Sequence, residues 1–150
     1  MKIEDAIQQK KFKNEQHKAH INLLYTAAWL GLHTARMLKP YGITTQQFNI
    51  LRILRGLHPE PATVKLLTER MIDKMSNASR LVDKLLAKGL VERFECPSDR
   101  RRVDIRITDT GLDLLSKASA QVDGMAFEFN LSDEDAKTLN RILDEIRQKE

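Results

Sequence analysis

Three consecutive arginines, Arg100-Arg101-Arg102, follow Pro97-Ser98-Asp99 between two runs of strand character. A guanidinium is a planar, permanently charged fork. Three of them on a protruding tip suit the holding of phosphate oxygens or the filling of a narrow minor groove. Asp99 opposes that charge, and its expected role is to pair with a neighbouring arginine. An exposed pair contributes only about 0–1 kcal/mol, so Asp99 would orient the tip rather than stabilise it. A second set of polar residues lies earlier, on a segment whose spacing predicts a helix from about Met75 to Lys88. Ser76, Asn77, Arg80 and Lys84, with Asp83 and Ala87, fall opposite the apolar stripe of Ala78, Leu81, Val82 and Leu85. Asn can pair with adenine and Arg with guanine through two hydrogen bonds. A solvated polar face accounts for any one of these residues. It accounts less well for a polar helix face combined with a basic hairpin.

These residues need elements to hold them. Residues 10–38 read as one long helix, with Ile21, Leu24, Ala28, Leu32 and Ala35 recurring at spacings of three and four. Lys39-Pro40-Tyr41-Gly42 stops it. Thr44-Thr45-Gln46-Gln47 matches a capping box, and Phe48, Leu51, Leu54 and Leu57 form the apolar stripe of the helix that follows. A short helix is expected from about Thr63 to Met71, then a tight turn at Ile72-Asp73, then the Met75–Lys88 helix ended by Gly89. The period changes to strands at 90–96 and at 103–107, where Val103, Ile105 and Ile107 alternate with charged residues. Thr108 caps a helix to about Glu128, with Leu112, Leu115, Ala118, Val122 and Met125 on one face. Ser132-Asp133-Glu134-Asp135 opens the last helix, lined by Leu139, Ile142, Leu143 and Ile146. The expected fold is mainly α with a small β-hairpin wing: a winged helix-turn-helix at 44–108 within a single domain, 1–150. Helices at 10–38 and 109–148 form a dimerisation region.

Composition agrees with that class. The 150 residues are 41% hydrophobic, 31% charged and 5% aromatic, a balance suited to a helix-rich protein. No apolar run approaches the length of a membrane span, and the polar start lacks the apolar centre of a secretory signal. With one cysteine no intrachain disulfide forms, so a reducing, cytoplasmic setting is expected. Charge is unevenly spread. Residues 1–61 hold nine Lys/Arg against four Asp/Glu, residues 62–106 eleven against seven, and residues 107–150 five against ten. The basic two thirds can attract phosphates, and the acidic third can pack against the basic first third. One winged module is too small to cover both the 10–38 stripe and the later apolar positions, which include Phe127, Phe129 and Leu131. A second copy is therefore expected.

The stretch from Ala62 to Arg93 ends in SRLVDKLLAKGLVER and runs on through DRRRVDIRIT and DTG. With ITTQQFNILRIL before it, this sequence resembles the MarR family of bacterial transcription regulators over nearly the whole chain. The resemblance implies a homodimer joined through its N-terminal and last two helices. It makes 75–88 the recognition helix and Asp99 with Arg101 the wing pair. The implied partners are double-stranded DNA, at a pseudo-palindromic operator, and a small-molecule effector, aromatic or phenolic, that relieves repression. Tyr25, Trp29, His33 and Phe48 are the candidate lining of the effector pocket; the same residues read equally well as core.

Other chemistry finds less support. Cys96, at a strand end beside Pro97, is read as a packing or incidental cysteine, although Arg93 and Arg100 could lower its pKa. His17 and His20, with Glu15, could share a metal, but no further ligand cluster follows. Neither a glycine-rich phosphate loop, a nucleophile elbow nor a paired-cysteine motif is present, so no enzymatic activity, cofactor or metal is expected. Two rival functions remain: an architectural DNA-binding protein with little sequence preference, and a winged-helix protein-interaction module.

Overall fold

Capping side chains set most of the element boundaries. The structure, a computed structural model, describes residues 1–127 and 131–148, and at 96, 100–102 and 125–127 only the backbone. A single helical turn, α1 (Ile3–Ala6), precedes α2 (Glu15–Leu38). The Asn14 side chain caps α2 by accepting from the His17 amide at 2.8 Å, so the long helix begins at Glu15 and not at residue 10. Periodicity locates a helix face; the cap, which satisfies a free amide, locates its start. A 3-10 turn at Lys39–Tyr41 ends at Gly42, whose φ of 66° is left-handed. The predicted capping box then opens α3 (Thr45–Leu57). The Gln47 amide donates to Thr44 Oγ1 at 3.2 Å, and the Thr44 amide donates to Gln47 Oε1 at 3.0 Å.

The winged module follows as β1 (Ala62–Thr63), α4 (Val64–Arg70), α5 (Ala78–Ala87), β2 (Val91–Cys96) and β3 (Asp99–Ile107). The strands form an antiparallel sheet in the order β1-β3-β2. The wing is therefore one strand wider than a hairpin. β1 pairs Ala62 with Ile105 and Thr63 with Asp104, and two residues are too few to show a strand pattern in sequence. Two long helices complete the chain, α6 (Asp109–Phe127) and α7 (Asp133–Arg147), the latter capped by Ser132 as predicted.

Leu51 and Leu54 of α3, Leu67 of α4, Val82 and Leu85 of α5, Ile105 of β3 and Leu115 of α6 meet in one buried core. The end of α5 is tied to the start of α6 across this core. Gly89 turns with φ 68°, the Leu90 amide returns to Leu85 O, and the Thr108 amide donates to Leu90 O at 3.1 Å. The Thr108 hydroxyl donates to Gly89 O at 2.8 Å and accepts from the Gly111 amide at 3.0 Å.

The outer helices are less covered. Leu24 and Leu32 of α2 are 59% and 51% exposed, and Ile146 of α7 is 57% exposed. Among the described residues α7 buries none of its own. A groove of about 740 Å³ runs between α2 and α7, lined by Leu23, Leu30, Leu139, Ile142 and Ile146 among others. The side chains of Met125 and Phe127, together with residues Glu128 and Phe129, lie outside the described residues.

Candidate nucleic-acid interface

The helix carrying the candidate base readers starts later than its sequence suggests. Residues 72–77 form a loop, and Asn77 is the N-cap of α5: its Oδ1 accepts from the Arg80 amide at 3.0 Å. The Asn77 side-chain oxygen is thus engaged by the first helical turn, so Asn77 caps the helix rather than standing within it as helical spacing predicts. Ser76 also precedes the helix. Its hydroxyl is shielded from solvent beside the Asp73 carboxylate, but it makes no hydrogen bond of good geometry. The exposed face of α5 consists of Ser79, Arg80, Asp83, Lys84 and Ala87. Arg80 and Lys84 border a concavity of about 380 Å³ with Gln46, Asp73, Ser76 and Asn77. Sequence reasoning missed Ser79 and Gln46. Ser79 flanks the free face on the side opposite Lys84, and its helical angle to the buried Ala78, Val82 and Leu85 was the signal.

Hydrogen bonds fix the loop before α5. Asn49 Oδ1, on α3, accepts from the Ile72 amide at 2.9 Å, and Asp73 Oδ1 accepts from the Met75 amide at 3.0 Å. The Met75 amide, helped by the nearby Ser76 and Gln46 side chains, holds the Asp73 carboxyl below its ordinary value.

The wing stands beside this face. Its turn is Pro97-Ser98, and the arginine triplet belongs to β3 rather than to a loop tip. Glu95 lies opposite Val103 and Cys96 opposite Asp99, so Arg100, Arg101 and Arg102 fall within the register shift of β3. A bulge of this kind bends and twists a strand edge. The side chains of Cys96 and of the three arginines lie outside the described residues, and with them the Asp99–Arg101 pair. Two wing cations were not anticipated. Arg93 of β2 donates to Asp83 of α5 at 2.6 Å, bridging wing and helix. The Arg106 guanidinium lies 4.6 Å from the Phe94 ring centroid.

Three of the candidate effector residues line two separate cavities. Phe48 is 5% exposed and borders a largely apolar space of about 580 Å³ between α2, α3 and the loop at Met71–Asp73. Arg52, held by Asp123 at 3.0 Å, lies at its edge. Tyr25 and Trp29 instead face a cavity of about 290 Å³ closed by Met1, Ile3 and Ala6. The His33 ring lies 4.3 Å from that of Trp29. His17 Nδ1 accepts from the Lys13 amide, and among the described residues no group of three His, Cys, Asp or Glu side chains is placed to hold a metal.

The sequence profile described as MarR family matches residues 43–103, from the start of α3 through the wing. Over that stretch, about two fifths of the chain, the sequence is similar to the MarR family. The regulator MgrA of Staphylococcus aureus is 29% identical over 114 residues, 76% of each chain. The regulator YhbI of Bacillus subtilis is 30% identical over 86 residues, 57% of this chain and 54% of the relative. The fold matches a mutant MarR of E. coli complexed with operator DNA (TM-score 0.74, 22% identity, covering 92% and 99% of the two chains). It also matches AbsC of Streptomyces coelicolor (TM-score 0.77, 24% identity, 91% and 95%). A third match is CouR of Rhodococcus jostii bound to p-coumaroyl-CoA (TM-score 0.74, 23% identity, 93% and 98%). MgrA and YhbI are both described as HTH-type transcriptional regulators. Among the described residues of this chain no helix is long and apolar enough to cross a membrane.

Proposed function

We propose that this protein is a MarR-family regulator: a homodimeric, cytoplasmic repressor that reads a pseudo-palindromic operator and releases it when a small aromatic or phenolic molecule binds. The observation that carries the dimer is the uncovered apolar surface of α2 and α7, where Leu24, Leu32, Leu139, Ile142 and Ile146 are exposed while the winged module closes its own core. A second copy buries that face and sets two α5 helices about 34 Å apart, one turn of DNA. Arg80 and Lys84 then face the major groove, with Ser76 and Asn77 supporting the helix start. Asp99, Arg100, Arg101 and Arg102 flank the groove from the wing. The effector reading is supported by the 580 Å³ space, because it borders both α2 and the loop that starts α5. Of the four residues named from sequence, Phe48 faces that space and Tyr25 and Trp29 line the other, while His33 lines neither and stacks near Trp29. The aromatic acyl group bound by CouR is the kind of ligand such a space accepts.

The test combines oligomeric state and binding. Sedimentation of the wild type should give a dimer and of Ile142→Glu a monomer, with operator affinity lost in the variant. Affinity should fall steeply with salt, since phosphate contacts release counterions. Equal affinity for operator and random duplex would instead indicate an architectural protein. A wild-type monomer that binds the full operator would overturn the dimer.

A further inference from the structure

The loop that leads into α5 carries two apolar side chains that stand uncovered among the described residues: Ile72 is 86% exposed and Met75 is 93% exposed. Single exposed apolar residues are commonplace. These two are set apart by the rigidity of their backbone. The Ile72 amide is held by Asn49 and the Met75 amide by Asp73. The Ser76 amide donates to Asp73 O at 3.2 Å, and Lys74 Nζ reaches Glu69 O at 2.6 Å. The loop therefore cannot fold its apolar groups inward. It ends at the N-cap of α5, on the same edge of the molecule as Arg80 and Lys84, whose charges draw in phosphates. In helix-turn-helix proteins the N-terminal end of this helix makes the base contacts. The apolar feature on the floor of a major groove is the C5-methyl of thymine. Continuity with the cationic face thus favours DNA as the occupant over a protein partner.

We propose that Met75, with Ile72 beside it, is a specificity-determining residue that packs on a thymine methyl at one position in each half-site. The inference rests on α5 being the recognition helix. It assigns sequence preference to the loop, where a hydrogen-bonding reader would not be sought.

The test uses the full chain and a duplex selected from random sequence. Each thymine is replaced in turn by deoxyuridine, which removes only the methyl, and affinity is read by fluorescence anisotropy at fixed salt. One position per half-site should lose about four-fold per methyl, the value of one buried methyl-sized group. Met75→Ala should bind thymine and deoxyuridine equally at that position while keeping its response elsewhere, and Met75→Leu should restore the difference. If every replacement is silent, or if Met75→Ala remains as sensitive as the wild type, the inference is wrong and the recognition-helix reading survives. A chain that selects no sequence overturns both.

Discussion

Gly111, the third residue of α6, is where the structure leaves least room for a side chain. A Cβ built there would lie 2.2 Å from Leu90 O, 2.8 Å from Ile107 Cγ1 and 3.1 Å from Leu90 C. The first contact is with backbone, and that backbone is held on both sides: the Leu90 amide donates to Leu85 O, and Leu90 O accepts from the Thr108 amide. Gly111→Ala must therefore push α6 away by roughly 1 Å. Overpacking of this kind costs about 1–3 kcal/mol, and loss of the Thr108–Leu90 bond adds about 1 kcal/mol. The helix preference of Ala over Gly returns at most about 1 kcal/mol. The net loss is about 1–3 kcal/mol, or roughly 2–12 °C in Tm for a chain of this length. Gly56→Ala is the matched control. Gly56 is helical and exposed, and nothing lies within 4 Å of its Cβ position, so Tm should rise by up to about 4 °C. Both variants are melted at one protein concentration, because any association would shift Tm. A Gly111→Ala variant that melts at or above wild type would refute the packing argument.

Three further outcomes are expected. Arg93→Ala leaves the Asp83 carboxylate unneutralised on the proposed DNA face; affinity should fall about 3–10-fold, with Tm little changed because the pair is exposed. Asp83→Ala combined with Arg93→Ala should recover most of that affinity by anisotropy, and a double variant weaker than the single would sink the idea. Asn77→Ala removes a cap and should cost about 0.5–2 kcal/mol, while Asn77→Ser should melt near wild type; a base-reading Asn77 would tolerate neither change in an operator-binding assay. The Asp73 carboxyl is depressed by the Met75 amide from its ordinary 3.8, so its contribution is fully present above that value and is lost as pH falls through the lower native value. Protection of the Met75 amide relative to its intrinsic exchange rate should fall on acidification in the wild type and stay independent of pH in Asp73→Asn.

Much of this architecture is legible in the sequence because it is written in local chemistry. The Thr44–Gln47 box, the Ser132 cap and the Thr108 cap are each a side chain satisfying an amide three residues on. The alternation at 103–107 reports a half-buried strand in the same local way. Errors arise where structure depends on a distant partner. β1 exists only because Ala62 and Thr63 find β3 more than forty residues later, so no pattern marks it. The start of α5 was placed early because Met75 and Ala78 continue the apolar spacing. That spacing cannot show that the Asp73 and Asn77 side chains bind the intervening amides instead. Tyr25, Trp29, His33 and Phe48 are grouped as one pocket lining by their aromatic and polar mixture and by the family resemblance. The packing of α1 against α2, and of α3 against the core, divides them.

The clamp between Gly89, Leu90 and Thr108 makes α6 a lever arm. Its 19 residues span about 28 Å at 1.5 Å per residue. A pivot of only about 5° at the far end swings the near end by roughly 2.5 Å, most of the ~3.4 Å rise between stacked base pairs. Because that near end is bonded directly to the close of α5, the reading helix travels with it. On the proposed DNA-binding reading, a pivot of that size is large enough to put α5 out of register with the bases.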